Sequence, residues 1–199
     1  MNVSVRLFVG VVCGLLVPLA AGCAGPIYNS DGMSEELNIN DEHAAFARSH
    51  HLILRRFDLN RDKKTDVFKY YTRGERDLLV LARKEVDLNH DNTVDLVREY
   101  DDHQNVSKET VDLDFDGRMD EASFYKDGAL VRKEVDLNMD GRPEVTKYYL
   151  KTQLKRVESD RDGDGKVDTW EFFEEGQLDR IGVDSDRDGQ PDKWERKKK

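Results

Sequence analysis

From about residue 50 onward, apolar and aromatic residues come in short runs, each closed by polar turn residues. Phe68-Lys69-Tyr70-Tyr71, Val97-Arg98-Glu99-Tyr100, Phe124-Tyr125, Tyr148-Tyr149 and Trp170-Glu171-Phe172-Phe173 carry the rings. Shorter apolar stretches lead in at Leu52-Ile53-Leu54, Val86, Val111, Val135 and Val183. Trp170 and Phe172 flank Glu171 as inward positions of a half-buried strand do. No run lasts the roughly ten to twelve residues a stable helix wants. Lys126-Asp127-Gly128 and Glu174-Glu175-Gly176 read as hairpin turns. The pattern predicts a mainly β protein.

The runs repeat. An acidic phrase (Asp, any residue, Asp or Asn, any residue, Asp, then an acid four residues on) begins at Asp58, Asp87, Asp112, Asp136, Asp160 and Asp184. The intervals are 29, 25, 24, 24 and 24 residues, a self-similarity that indicates a repeat architecture. Counting the first Asp as position 1, position 14 is aromatic in the five complete units: Tyr71, Tyr100, Tyr125, Tyr149 and Phe173. Each unit is expected to be one β-hairpin. Successive hairpins would add to an antiparallel meander with the acidic loops along one edge, each unit gaining stability from its neighbours.

Alternate acids turn their carboxylates toward one centre, and this suits a hard cation. In the fifth loop the candidate ligands are Asp160, Asp162, Asp164, Asp168 and Glu171, with Gly165 at position 6. The sixth has Asp184, Asp186, Asp188, Asp192 and Glu195, with Gly189 at the same place. The third (Asp112, Asp114, Asp116, Asp120) has Ser123 at position 12, and the fourth (Asp136, Asn138, Asp140, Glu144) has Lys147. The second (Asp87, Asn89, Asp91, Asp95) and first (Asp58, Asn60, Asp62, Asp66) replace the Gly by Asn92 and Lys63. Asn accepts a positive φ more readily than Lys, so the first loop is the weakest candidate. Glu85 or Glu134 from a neighbouring strand could stand in for a missing twelfth ligand. Such a concentration of acids repels itself unless a cation is present. All-oxygen, flexibly placed ligands favour Ca2+ over Mg2+, and the lack of Cys or organised His disfavours zinc. The fifth and sixth loops resemble the EF-hand calcium loop at positions 1, 3, 5, 6, 9 and 12. Their strand-like flanks do not. The tandem spacing, with Asp188-Gly189-Gln190-Pro191-Asp192, looks more like thrombospondin type 3 repeats and related bacterial calcium-loop repeats. That resemblance implies calcium organising an extracellular structure.

The N-terminus reads differently. Arg6 precedes an apolar run from Leu7 to Ala21 that ends in small residues, so residues 1–22 are expected to be a secretory signal. Leu19-Ala20-Ala21-Gly22-Cys23 resembles the lipobox of bacterial lipoproteins, although Ala20 stands where the family prefers Leu. The resemblance implies lipidation of Cys23, and Ala24 after it implies the outer membrane. Ordinary signal cleavage, leaving Cys23 as a free thiol, is the alternative. Residues 23–49 read as a mostly disordered, lipid-attached linker, with a short helix near Asp41–Ser49 capped by Asp41. His43, His50 and His51 are read as solvated or half-buried residues. Residues 50–196 form the repeat domain and 197–199 a basic tail.

The chain has 42 acidic residues against 32 basic ones, a net charge of −10. Nucleic acid is a poor partner for that surface. Apart from Cys23 and Cys13, which lies in the signal, there is no Cys, so no disulfide supports the thin core, and bound metal is the expected substitute. These features together describe a calcium-stabilised envelope lipoprotein acting as a structural, adhesive or interaction scaffold. It would be held to the membrane through Cys23 and would face a protein partner in the envelope or at the cell surface. A helical EF-hand sensor or buffer is the alternative, and an envelope hydrolase a remote one. No nucleophile motif or phosphate-cradling Gly loop supports an enzyme.

Overall fold

The computed structural model describes residues 28–29 and 41–197. The expected signal, Cys23, the rest of the linker up to residue 40, and Lys198 and Lys199 lie outside the described residues. The strands are β1 (Tyr28–Asn29), β2 (Ile53–Phe57), β3 (Val67–Arg73), β4 (Leu79–Val86), β5 (Leu96–Tyr100), β6 (Val106–Val111) and β7 (Glu121–Lys126). They continue as β8 (Ala129–Val135), β9 (Val145–Leu150), β10 (Gln153–Ser159), β11 (Thr169–Glu174), β12 (Gln177–Val183) and β13 (Lys193–Arg196). They form one sheet in strict chain order. β1 pairs parallel with β2, and every later pairing is antiparallel. The expected meander is what the chain builds.

Connections therefore alternate between two rims. One rim carries the acidic phrases, each a nine-residue link, from 58–66 to 184–192. The other carries tight turns such as Asp127-Gly128, with φ of 51° and 75°. On that second rim residues 74–78 and 101–105 replace a two-residue turn, and with the longer β3 and β4 and the shorter β5 and β6 they account for the longer first two periods. The acidic loops keep one length throughout.

Val67, Val86, Leu96, Val111, Glu121, Val135, Val145, Ser159, Thr169 and Val183 pair consecutively across the sheet just beneath the acidic rim. The position 14 aromatics form a second row: Tyr71 faces Leu81, Tyr100 Val106, Tyr125 Leu130, Tyr149 Leu154, and Phe173 Leu178. Beside each pair the register slips by one residue on the returning strand. A bulge of this kind strengthens local twist, and a ring with an aliphatic partner sits beside it in each of the five complete units.

Among the described residues, only one end of the sheet has a second layer. Helix α1 (Glu42–Ser49) starts at Asp41, whose side chain accepts the His43 N–H at 2.8 Å and pairs with Arg56. Ala44 and Ala47 are buried, and Ala47 joins Leu54, Phe68 and Tyr70, with Phe46 and Leu52 beside them, in a small core over β2 and β3. Part of the segment read as a linker is thus built into the fold. His43 stacks on Phe68 and reaches Glu85 at 2.8 Å, whereas His50 and His51 are exposed. Beyond β5 the same face carries alternating rings and guanidiniums. Arg132 lies over Phe124 at 4.1 Å, Arg156 over Tyr148 at 4.2 Å and Arg180 over Phe172 at 4.7 Å. The long Arg stems cover apolar surface there, as a second layer otherwise would.

Candidate metal centres

Each acidic loop is folded by its own carboxylates. The position 1 Asp accepts two backbone N–H groups, from positions 4 and 6. Asp184 takes Arg187 and Gly189 at 2.7 Å, Asp160 takes Gly163 and Gly165 at 2.8 and 2.7 Å, and Asp58 does the same with Arg61 and Lys63. The position 3 side chain accepts the N–H of position 5, and position 5 accepts that of position 7 (Asp186 with Asp188, Asp188 with Gln190). The position 9 acid reaches back to position 2, as Asp192 does to Ser185 at 3.0 Å. These bonds need a left-handed backbone at positions 4 and 6. Position 6 has φ of 87–90° at the glycines 117, 141, 165 and 189, 77° at Asn92 and 74° at Lys63. Position 4 is also left-handed, at Arg61, His90, Phe115, Met139, Gly163 and Arg187, although its sequence carries no common signal.

Four loops bring three carboxylates to within 4.8 Å of one another: Asp112, Asp114 and Asp120; Asp136, Asp140 and Glu144; Asp160, Asp162 and Asp168; Asp184, Asp186 and Asp192. Each group could hold a metal ion. The position 1 members Asp112, Asp160 and Asp184 are buried, so their charge is concentrated where water is scarce. Burial raises the carboxyl of Asp184, but the N–H groups of Gly189, Arg187 and Asp188 outweigh it and hold the group below the usual range. A carboxylate kept ionised in this way suits a cation.

Other candidates are placed elsewhere. Asp116, Asp164 and Asp188 belong to none of these clusters and bond the position 7 N–H groups of Arg118, Lys166 and Gln190. The Asn138 side-chain amide donates to Glu144 at 2.6 Å. Glu171 and Glu195 also stand apart. They are the third residues of β11 and β13, and a strand rising about 3.3 Å per residue carries them away from the loop. In an EF-hand the exit is helical and turns the twelfth residue back. Glu171 instead lies 3.7 Å from Arg161. Glu85 and Glu134 do not substitute, being paired with His43 and Arg83, and with Arg132.

The first two loops share the fold but form no such cluster among the described residues. Asn60 and Asn89 donate to Asp62 and Asp91 at 3.2 and 2.8 Å, so a neutral hydrogen-bonding amide stands where the third, fifth and sixth loops have a position 3 carboxylate. Asp58, Asp66, Asp87 and Asp95 keep their structural bonds. His90 reaches from the second loop to Asp66 of the first at 2.9 Å. That hydrogen bond raises the His90 pKa. Burial raises that of Asp66, but the N–H of Leu59 and the His90 ring overcome it, for a net lowering. Phe115 occupies the corresponding place in the third loop, and Asp95 keeps one buried oxygen without a partner.

The loops are also joined to one another. The position 1 N–H of each loop from the second onward donates to the position 9 carbonyl of the loop before it: Asp87 to Asp66, Asp112 to Asp95, Asp136 to Asp120, Asp160 to Glu144 and Asp184 to Asp168, all at 2.8–2.9 Å. Arg187 of the sixth loop also pairs with Asp162 of the fifth at 2.7 Å. These links join distant sequence positions, so the acidic phrase alone does not display them.

No protein family matches the chain, and no curated protein does. Among solved structures, the accessory secretory protein 1, 2 and 3 assembly of Streptococcus pneumoniae is similar over 49% of this chain, with a TM-score of 0.38 and 15% identity. The match spans 18% of that structure's chain.

Proposed function

We propose that this chain is a calcium-binding, calcium-stabilised lipoprotein of a bacterial envelope, whose repeat sheet serves as a structural, adhesive or interaction scaffold. One observation carries the reading: four three-carboxylate clusters recur in register along one rim of a sheet with little core. The donors are all oxygen. Three carboxylates per cluster leave room for the carbonyls and waters that complete the six to eight ligands Ca2+ takes. Asp112, Asp114 and Asp120, Asp136, Asp140 and Glu144, Asp160, Asp162 and Asp168, and Asp184, Asp186 and Asp192 would hold the ions. Calcium would supply positive charge where these carboxylates repel each other, and so add its binding free energy to folding.

The helical sensor reading loses its basis, because every acidic loop joins two strands. The envelope and the lipid anchor rest on the apolar leader and on Leu19-Ala20-Ala21-Gly22-Cys23. The proposal includes no enzymatic activity.

Calorimetric titration with Ca2+, combined with thermal melting in excess chelator, tests the reading. Between two and four ions per chain and a lower melting temperature on chelation are expected. Zero ions, or an unchanged melting curve, would end it.

A further inference from the structure

On the face of the sheet opposite helix α1, four cations stand directly across from one another on consecutive strands. Arg55 pairs with Lys69, Lys69 with Lys84, and Lys84 with Arg98. Like charges in direct cross-strand register destabilise a sheet, and ring or carboxylate partners offset this at Arg55, Lys69 and Arg98 but not at Lys84. At about 4.8 Å per strand it runs about 14 Å, and it ends where Arg98 meets Glu109. Arg55 and Lys69 lean over Tyr71 and Phe57, at 5.3 and 4.7 Å, while Lys84 has no anionic partner among the described residues. Burial lowers the Lys84 pKa, and the neighbouring Arg98 and Lys69 lower it further. All four residues are half-buried. This is a line of positive charge on a protein of net charge −10.

Its position suggests the occupant. The row starts at Arg55, which pairs with Tyr28 of β1, and Tyr28 lies five residues from Cys23. A fully extended five-residue link reaches no more than about 17 Å. A chain anchored at Cys23 would therefore hold this end of the sheet within a short reach of the lipid headgroups. Tyr71 and Tyr100 border the row, and amphipathic rings of this kind settle at membrane interfaces. The geometry points to Arg55, Lys69, Lys84 and Arg98 as a docking stripe for an anionic lipid surface, laying the N-terminal strands against the membrane. The inference rests on the lipid-anchored reading, because the anchor is what selects a membrane over a free polyanion.

The test uses the chain from residue 23 onward with Cys23→Ser, which keeps every described residue and has no acyl chain. Its partition is measured onto vesicles of phosphatidylglycerol and phosphatidylcholine in equal parts, and onto phosphatidylcholine alone, in the presence of Ca2+. Binding to the anionic vesicles alone is expected. Lys69→Gln with Lys84→Gln should weaken it about 25-fold, at about fivefold per charge near an anionic surface. Lys69→Arg with Lys84→Arg should retain it. The glutamine pair should melt no lower than the parent, since it relieves repulsion, so lost binding would not reflect unfolding. Equal partition onto both vesicles, no effect of the glutamine pair, or binding to soluble polyglutamate without vesicle binding would overturn the inference. Mass spectrometry of the cell-derived protein reads the anchor separately. An acylated Cys23 with no vesicle binding defeats the stripe alone, and vesicle binding with an unmodified Cys23 defeats the anchor alone.

Discussion

The N–H of Asp184 donates to the carbonyl of Asp168 at 2.9 Å, tying the first residue of one carboxylate cluster to the last residue of its neighbour. The fifth and sixth candidate centres therefore cannot adjust independently. Across the same junction the Arg187 guanidinium takes Asp162, a member of the fifth cluster. Arg187 and a cation compete for one carboxylate. Arg187→Gln should raise the Ca2+ affinity of the fifth loop by up to about fivefold, since exposed pairs are worth about 0.2–1 kcal/mol. Calorimetry on the two proteins measures the change. Unaltered or weaker binding would show that the pair does not obstruct the site.

Loss of a single position 1 carboxylate separates the structural from the ion-binding role. Asp184→Asn should remove one ion from the measured stoichiometry, and Asp160→Asn another. Each should also lower the melting temperature without calcium, because both oxygens accept loop N–H groups. Asp58→Asn should show the structural cost with no change in stoichiometry, because its loop forms no three-carboxylate cluster among the described residues.

Lys63 holds a φ of 74° at a place where four other loops have glycine. A left-handed conformation costs a side-chain-bearing residue about 1–2 kcal/mol, and glycine's extra freedom in the unfolded chain offsets part of the relief. Lys63→Gly should stabilise the protein by about 0.5–1 kcal/mol. Chemical denaturation measures it, and a destabilised variant would show that Lys63 makes a compensating contact.

Glu85 is buried between helix α1 and the sheet, accepting from His43, Tyr70 and Arg83 at 2.6–2.8 Å. Burial raises its carboxyl, but His43, Tyr70 and Arg83 overcome that and leave it below the ordinary value of 4.5. A carboxyl depressed in the folded state contributes stability above its unfolded pKa and loses it as pH falls through the folded one. The melting temperature should therefore drop below pH 4.5, and the difference between the parent and Glu85→Gln should shrink in the same interval. A constant difference across that range would mean that Glu85 is not depressed. At neutral pH, Glu85→Gln should cost about 1–3 kcal/mol.

The hairpin repeat was legible because it depends on local pattern. Runs such as Trp170-Glu171-Phe172-Phe173 are too short for a helix, Asp127-Gly128 permits the tight turn, and one acidic phrase recurs at a near-constant interval. Those features by themselves determined the β class, the chain-order meander and the placing of all six loops on one rim. Position 14 was visible as a constant aromatic, and only the paired strands show that each ring sits beside a repeated bulge. Tertiary structure decided the rest. Glu171 and Glu195 match a calcium loop letter by letter, yet the strand exit carries them off, because ligand direction follows the backbone after the loop. The links from Asp168 to Asp184 and from Arg187 to Asp162, and the cation row from Arg55 to Arg98, join residues far apart in the chain. Cross-strand register sets such neighbours, and a register exists only once the strands have paired.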